Sequence, residues 1–156
     1  MVDLFGDYRH KVDAKGRLSL PSKFRKAFAQ AFSSEDDDAA VELVVTIDPM
    51  EECLYAFEPD SFNSWVDKFF EKDGGYSNSN LKHVKIRRAL KARAQCVEID
   101  GAGRINLSAK QREAVGIGKE VALIGNRGYF EIWDAARWDE NSAEVDLASL
   151  LYDTLA

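Results

Sequence analysis

Two related stretches constrain this chain more than anything else in it: Asp13-Ala14-Lys15-Gly16-Arg17-Leu18-Ser19-Leu20 and, 87 positions downstream, Asp100-Gly101-Ala102-Gly103-Arg104-Ile105-Asn106-Leu107. The chain reads as a diverged tandem repeat. In each copy a β-prone residue, Val12 or Ile99, leads into Asp, two variable residues, Gly and Arg, and then alternating apolar and polar residues. That order predicts a hairpin: Asp bonds its own backbone in a turn, Gly supplies a positive φ, and Arg opens the returning strand. Arg17 and Arg104 are therefore expected at equivalent hairpin tips. Lys15 accompanies the first Arg whereas Ala102 holds its place in the second, so the tips need not do the same job.

Between the copies, periodicity assigns the elements. Asp7 to Val12 and Arg17 to Leu20 are expected as the arms of the first hairpin. Pro21 then opens a helix over Ser22 to Phe32, with Phe24, Ala27, Phe28 and Ala31 along one stripe. The acidic run Ser33 to Ala40 is expected as a solvated surface excursion. Val41 to Ile47 and Cys53 to Phe57 read as paired strands joined by Asp48-Pro49. Asp60 or Ser61 is then placed to cap a helix carrying Phe62, Trp65, Val66, Phe69 and Phe70 at core spacing. Helical spacing explains those aromatics without a base-stacking role. Gly74-Gly75 and the Ser/Asn-rich residues that follow mark the boundary between halves, and Leu81 to Ala94 reads as a basic helix.

The second half repeats this order in fewer residues. Gln95 to Ile99 and Arg104 to Leu107 are its hairpin, and Ser108 with Gln111 is a capping box for a short helix ended by Gly116. Glu120 to Ile124 and Tyr129 to Trp133 match the earlier strand pair. The expected organisation is a first repeat over 4–73, a connecting loop and basic helix over 74–94, a second repeat over 95–138 and a helical tail over 139–156. The tail's apolar positions, Val145, Ala148, Leu151 and Leu155, suit packing on the body or on another subunit.

Charge is segregated. Residues 8–27 hold seven Lys or Arg against one acid, and residues 82–93 add six with no acid, so these windows carry +12 while the whole chain carries -6. Such segregation suits a basic face on an acidic protein, because the local field governs docking of a polyanion. The plainer alternative is two solvated faces paired with acids elsewhere. No apolar run approaches the roughly 20 residues of a spanning helix, and the start lacks a signal-peptide pattern, so a cytosolic location is expected. Cys53 and Cys96 are expected as buried free thiols in strands.

Catalytic signatures are missing. His10 and His83 stand apart from any metal-ligand spacing, and Gly101-x-Gly103 lacks the third glycine of a dinucleotide fingerprint and precedes a strand. Asp13 and Asp100 are best explained as turn acceptors. Neither a cofactor, a metal nor a small-molecule substrate is implied.

Residues 6–17, Gly-Asp-Tyr-Arg-His-Lys-Val-Asp-Ala-Lys-Gly-Arg, followed by Pro21-x-x-Phe24-Arg25, resemble the opening of the MraZ family of bacterial transcriptional regulators. Asp100-Gly101-Ala102-Gly103-Arg104 and Phe130-Glu131-Ile132-Trp133 resemble its second half, and the similarity covers residues 4 to 138. The resemblance implies an α+β fold in which two tandem repeats form a swapped-hairpin β-barrel of the AbrB type with flanking helices. It also implies a ring-shaped homo-oligomer, associated with the nucleoid, that binds double-stranded promoter DNA carrying direct repeats upstream of the division and cell-wall gene cluster, there as a repressor. The chain departs from the family pattern in the acidic insertion and in residues 71–82.

Elementary chemistry is compatible with that role. A two-stranded ribbon fits the major groove, where Arg donates twice to guanine and Lys attracts phosphate. Arg17 is the candidate base reader, with Arg9, Lys11 and Lys15 around it, and Arg104 is the candidate at the second tip. The competing role for both Arg17 and Arg104 is to clamp their own turns through Asp13 and Asp100. The competing function is an oligomeric scaffold that docks another protein and binds no DNA.

Overall fold

A computed structural model gives the fold and describes residues 1–32 and 39–156. The acidic run expected as a surface excursion falls mostly on 33–38, outside the described residues. The elements in order are β1 (Asp7–Lys11), β2 (Arg17–Ser19), α1 (Ser22–Ala31), β3 (Glu42–Ile47), β4 (Leu54–Phe57) and α2 (Pro59–Asp67), which a 3-10 turn (Lys68–Asp73) extends. Then follow α3 (Leu81–Ala92), β5 (Gln95–Glu98), β6 (Arg104–Asn106), α4 (Ala109–Ala114), β7 (Glu120–Gly125), β8 (Tyr129–Asp134), α5 (Ala135–Ala143) and α6 (Leu147–Leu155).

The class is mixed α and β, as the sequence indicates, but strand pairing departs from the expected hairpins. Six strands form one antiparallel sheet in the order β1-β7-β8-β4-β3-β5, which does not close on itself, and β2 pairs β6 in a separate ribbon. Between the arms β1 and β2 the ladder is reduced to a single Val12–Leu18 bridge. Instead β1 runs along β7 from Asp7–Ile124 to Lys11–Glu120, and β5 runs along β3. Each Asp-Gly-Arg turn thus sends its two arms into different sheets, and every copy-one arm pairs with a strand of copy two. Alternation of side chains specifies which face of a strand is buried; it does not specify the partner strand.

Both faces of the central sheet are covered, which explains the near-continuous apolar run of β3. Leu43, Val45 and Ile47 point with Leu54, Ala56, Phe130 and Ile132 into the main core, where Phe24 and Phe28 of α1 and Leu18, Ile105 and Leu107 of the ribbon join them. On the opposite face Val44 and Phe57 meet Phe62 and Val66 of α2 and Phe70, and Ile86 and Leu90 of α3 close that cluster. The expected aromatic stripe therefore divides: Phe62, Val66 and Phe70 are buried while Phe69 is half exposed. Helix α2 also starts earlier than expected, at Pro59, and Ser61 instead donates to Glu58 Oε2.

Other local expectations meet mixed outcomes. Ser108 caps α4 by accepting from the Gln111 backbone, but the reciprocal half of the capping box does not form: the Gln111 side chain is buried and donates to the Val45 and Arg93 carbonyls. Cys53 is a buried free thiol just ahead of β4, whereas Cys96 is exposed, because β5 is the sheet's edge strand. Within α3 the buried residue is His83, while Leu81 is exposed. Finally, α6 buries none of its residues against the body, and Leu147, Leu150, Leu151, Tyr152 and Leu155 are all exposed.

Candidate nucleic-acid interface

The two repeat turns have one geometry. Asp13 Oδ1 accepts from the Lys15 and Arg17 backbone N–H groups at 2.9 Å each, and its Oδ2 accepts from Arg17 Nε at 2.6 Å. Asp100 does the same for Ala102 and Arg104, with its Oδ2 accepting from Arg104 Nε at 3.1 Å. Gly16 and Gly103 then turn the chain at φ +84 and +77, where other residues are strained. The Arg17 and Arg104 backbone N–H groups are the largest influence in holding the two carboxyls below the usual carboxylate range, and the guanidinium bonds add to it.

The two turns are locked to each other across the repeats. Leu107 donates its N–H to Gly16 O at 2.8 Å, and Leu20 donates to Gly103 O at 3.0 Å. Arg112 of α4 lies over Gly16 and donates from Nε to Leu107 O, while the Arg25 side chain of α1 lies over Gly103. Arg25 and Arg112 occupy the same position of the two repeats. This repeat-equivalence was the available signal, and sequence reasoning overlooked both as parts of the turns. Because β2 and β6 are antiparallel, Arg17 opposes Asn106 and Arg104 opposes Ser19. The turns therefore sit at opposite ends of the short ribbon, roughly 7 Å apart along it at about 3.4 Å per residue.

The predicted site residues are not all alike in this setting. Arg17 and Arg104 are part exposed, each holding the Asp of its own turn. Lys15 projects from the first turn, and Ala102 leaves the second without a counterpart. Arg9 and Lys11 lie on one exposed side of β1, as alternation requires. Lys11 and Lys15 have no salt-bridge partner among the described residues. Arg9 does: its guanidinium bonds Asp7 at 2.9 Å and Asp139 of α5 at 2.8 Å, and these carboxylates, Asp7 first, keep it firmly protonated. Around the first turn, Lys11 and Lys15 are thus exposed cations with no salt bridge to a described residue, and Arg112 lies against Gly16.

The histidines fall into structural places. His10 Nδ1 bonds Ser19 O and so ties β1 to β2. His83 accepts from the Ser77 N–H on Nδ1 and donates from Nε2 to Asp73 at 2.7 Å. Burial pushes the Cys53 thiol and the Glu131 carboxyl up, and Glu131 is used as acceptor by Trp133 Nε1 at 2.7 Å. Among the described residues no group of three His, Cys, Asp or Glu could hold a metal ion, and no helix is long and apolar enough to cross a membrane.

An α+β protein built from two interlocked repeats, each presenting an Asp-braced Gly-Arg turn at one end of a short ribbon, is the class this geometry defines. The family model described as "MraZ protein, putative antitoxin-like" matches residues 4–75 and 90–152. The chain belongs to the MraZ family. It is 36% identical over 149 residues to a "Transcriptional regulator MraZ" of Nitrosomonas eutropha, covering 95% of this chain and 90% of the relative. A protein of the same name from Corynebacterium urealyticum is 35% identical over 150 residues, covering 93% and 92%, and one from Lachnoclostridium phytofermentans is 30% identical over 137 residues, covering 88% and 85%.

Proposed function

We propose that this protein is a transcriptional regulator that binds double-stranded promoter DNA through the first turn, with Arg17 as base reader and Lys11 and Lys15 as phosphate contacts. The observation that carries the reading is the asymmetry of two otherwise equal turns: the same Asp, Gly and Arg geometry recurs, but only the first adds an exposed lysine, Lys15 against Ala102. Shared geometry explains the fold; the added cation suits a polyanion. Relatives named transcriptional regulators supply the functional class.

Arg17 need not abandon Asp13 to contact a base, since among the described residues only its Nε is engaged and the two terminal nitrogens remain to donate to guanine O6 and N7. The carboxylate then orients the guanidinium, so the two roles considered for Arg17 are compatible. Arg9, held by Asp7 and Asp139, supports the strand and adds field without a direct contact. Arg104, in the turn with Ala102, has a bracing role and at most a subsidiary contact.

A single turn offers few contacts, so affinity comes from several. In the proposed assembly, a homo-oligomeric ring presents equivalent first turns to direct repeats about one helical turn apart. The bare apolar side of α6 suits such subunit contacts. The exchange of arms between the two tandem repeats supports reading the sheet and ribbon together as a swapped-hairpin, barrel-like unit, and in this reading the regulator represses the division and cell-wall promoter from the nucleoid. Titration of that promoter at several salt concentrations tests the reading. Tight binding that weakens steeply with salt is expected, and Arg17→Ala is expected to weaken it by about 10-fold to 100-fold, within the ~1–3 kcal/mol of a bidentate base contact. No retention of the DNA at low salt would favour the scaffold instead.

A further inference from the structure

Helix α3 carries a second cationic surface, separate from the turns. Lys82, Lys85, Arg87, Arg88 and Lys91 are all exposed on its outer side, and the helix contains no acid. None of the five makes a salt bridge to a described residue; in this segment only Arg93, facing Glu51 at 3.5 Å, is paired. The helix is anchored from beneath by His83, Ile86 and Leu90, so its orientation is fixed by the core.

Such a helix opposes its own formation. Lys82, Lys85, Arg88 and Lys91 follow one another at i, i+3 spacing, Arg87 and Lys91 at i, i+4, and like charges at those separations repel. Lys82 also occupies the first turn, where the helix dipole disfavours cations and an acid would be welcome. A tightly packed core holds this repulsion in place. A polyanion laid along the outer side would relieve it.

The surface is shaped as well as charged. Arg87, Arg88 and Lys91 border an open groove of about 230 Å³ with Val84 and Tyr76, and the Arg87 guanidinium lies 3.4 Å above the Tyr76 ring. Stacking on Tyr76 fixes the guanidinium plane and leaves its edge free to donate, the arrangement that suits phosphate oxygens. The family model matches residues 4–75 and 90–152, so most of α3 lies between its two matched segments.

We propose that the outer face of α3 is a second DNA contact, one that binds the phosphodiester backbone without regard to sequence. It rests on the reading of the first turn as a DNA-binding element. It differs in kind: the turn supplies discrimination, and α3 supplies affinity and salt dependence.

The test uses full-length protein and two duplexes of equal length, the repeat-bearing promoter and a scrambled sequence. A variant with Lys82, Lys85, Arg88 and Lys91 changed to Gln is compared with wild type, with Arg17→Ala, and with a charge-matched control in which exposed Lys26, Lys68, Lys72 and Arg127, all away from the first turn, become Gln. Affinity is read by fluorescence anisotropy across salt concentrations. The α3 variant is expected to weaken on both duplexes by the same factor, keeping its promoter preference, and its salt slope should fall by about one for each phosphate no longer neutralised. The control should keep the wild-type slope. Arg17→Ala should do the opposite of the α3 variant, losing preference while keeping most of the slope.

An α3 variant with unchanged slope and affinity overturns the proposal and leaves the turn reading standing. An equal effect of the charge-matched control also overturns it, since net charge would then suffice. A change in oligomer size by light scattering with the DNA slope unchanged assigns the face to subunit contacts and overturns it too. Wild-type protein that binds neither duplex at low salt removes both readings together.

Discussion

Gly16 and Gly103 share a left-handed backbone, yet their surroundings separate them. A Cβ on Gly16 would run into the Leu107 carbonyl of the opposite repeat, whereas one on Gly103 would meet the flexible Arg25 side chain. Both alanine variants incur the conformational penalty of about 1–2 kcal/mol, but only Gly16→Ala also forces backbone apart. Chemical denaturation is expected to find Gly16→Ala less stable than Gly103→Ala by at least about 1 kcal/mol. The Asp residues of these turns add a pH dependence. Their carboxyls lie below the usual carboxylate range, held first by the Arg17 and Arg104 N–H groups. The bracing is therefore complete above the ordinary Asp value of about 3.9 and is lost as pH falls through the lowered one. NMR should show the amide signals of Lys15, Arg17, Ala102 and Arg104 titrating together with midpoints below that value. What sequence made legible at this scale was the Asp-x-x-Gly-Arg turn, because its partners lie within four residues of one another. It did not reveal that Arg9 is bound to Asp139, 130 positions away, or that Arg25 and Arg112 cross to the other repeat's glycine.

Elements were easier to place than to pair. Apolar periodicity located α1, β3, β4 and β8 to within a residue or so, since each strand or helix must bury one side or both. The partners were another matter: contiguity favours the hairpin β1·β2, while the core favours β1 on β7 and β2 on β6. A turn that projects away from the sheet leaves its arms free to diverge, and nothing local to either arm records that choice. The same distance problem hid Gln111, which reads as the third residue of a capping box and is instead a buried link from α4 to β3. Its Nε2 donates to Val45 O at 2.9 Å, so Gln111→Met, which keeps the bulk and removes the donor, is expected to cost about 1 kcal/mol and lower Tm by roughly 2–4 °C. Calorimetry would check it. Its backbone cap from Ser108 should survive, and α4 should remain helical by chemical shift.

For the molecule as a whole, a net charge of -6 conceals two cationic regions with different surroundings. In the first, Asp7, Asp13 and Asp139 bind the arginines and leave Lys11 and Lys15 unpaired among described residues. In the second, α3 presents five cations on an unbroken side. Composition alone allowed either a basic face or a set of solvated ion pairs, and the fold contains some of each. The family could be identified from sequence because the repeat's turn chemistry is distinctive and recurs. The functional inequality of the two turns rests on less, one lysine exchanged for alanine in equal backbones. On that inequality the proposed function stands or falls. Its sharpest test is the ratio of Kd values for scrambled and promoter DNA, compared between wild type, Arg17→Ala and Arg104→Ala in assemblies of matched size. The ratio is expected to collapse by about 10-fold to 100-fold for Arg17→Ala and to stay near the wild-type value for Arg104→Ala. An equal collapse in both variants, or an unchanged ratio in Arg17→Ala, would refute it.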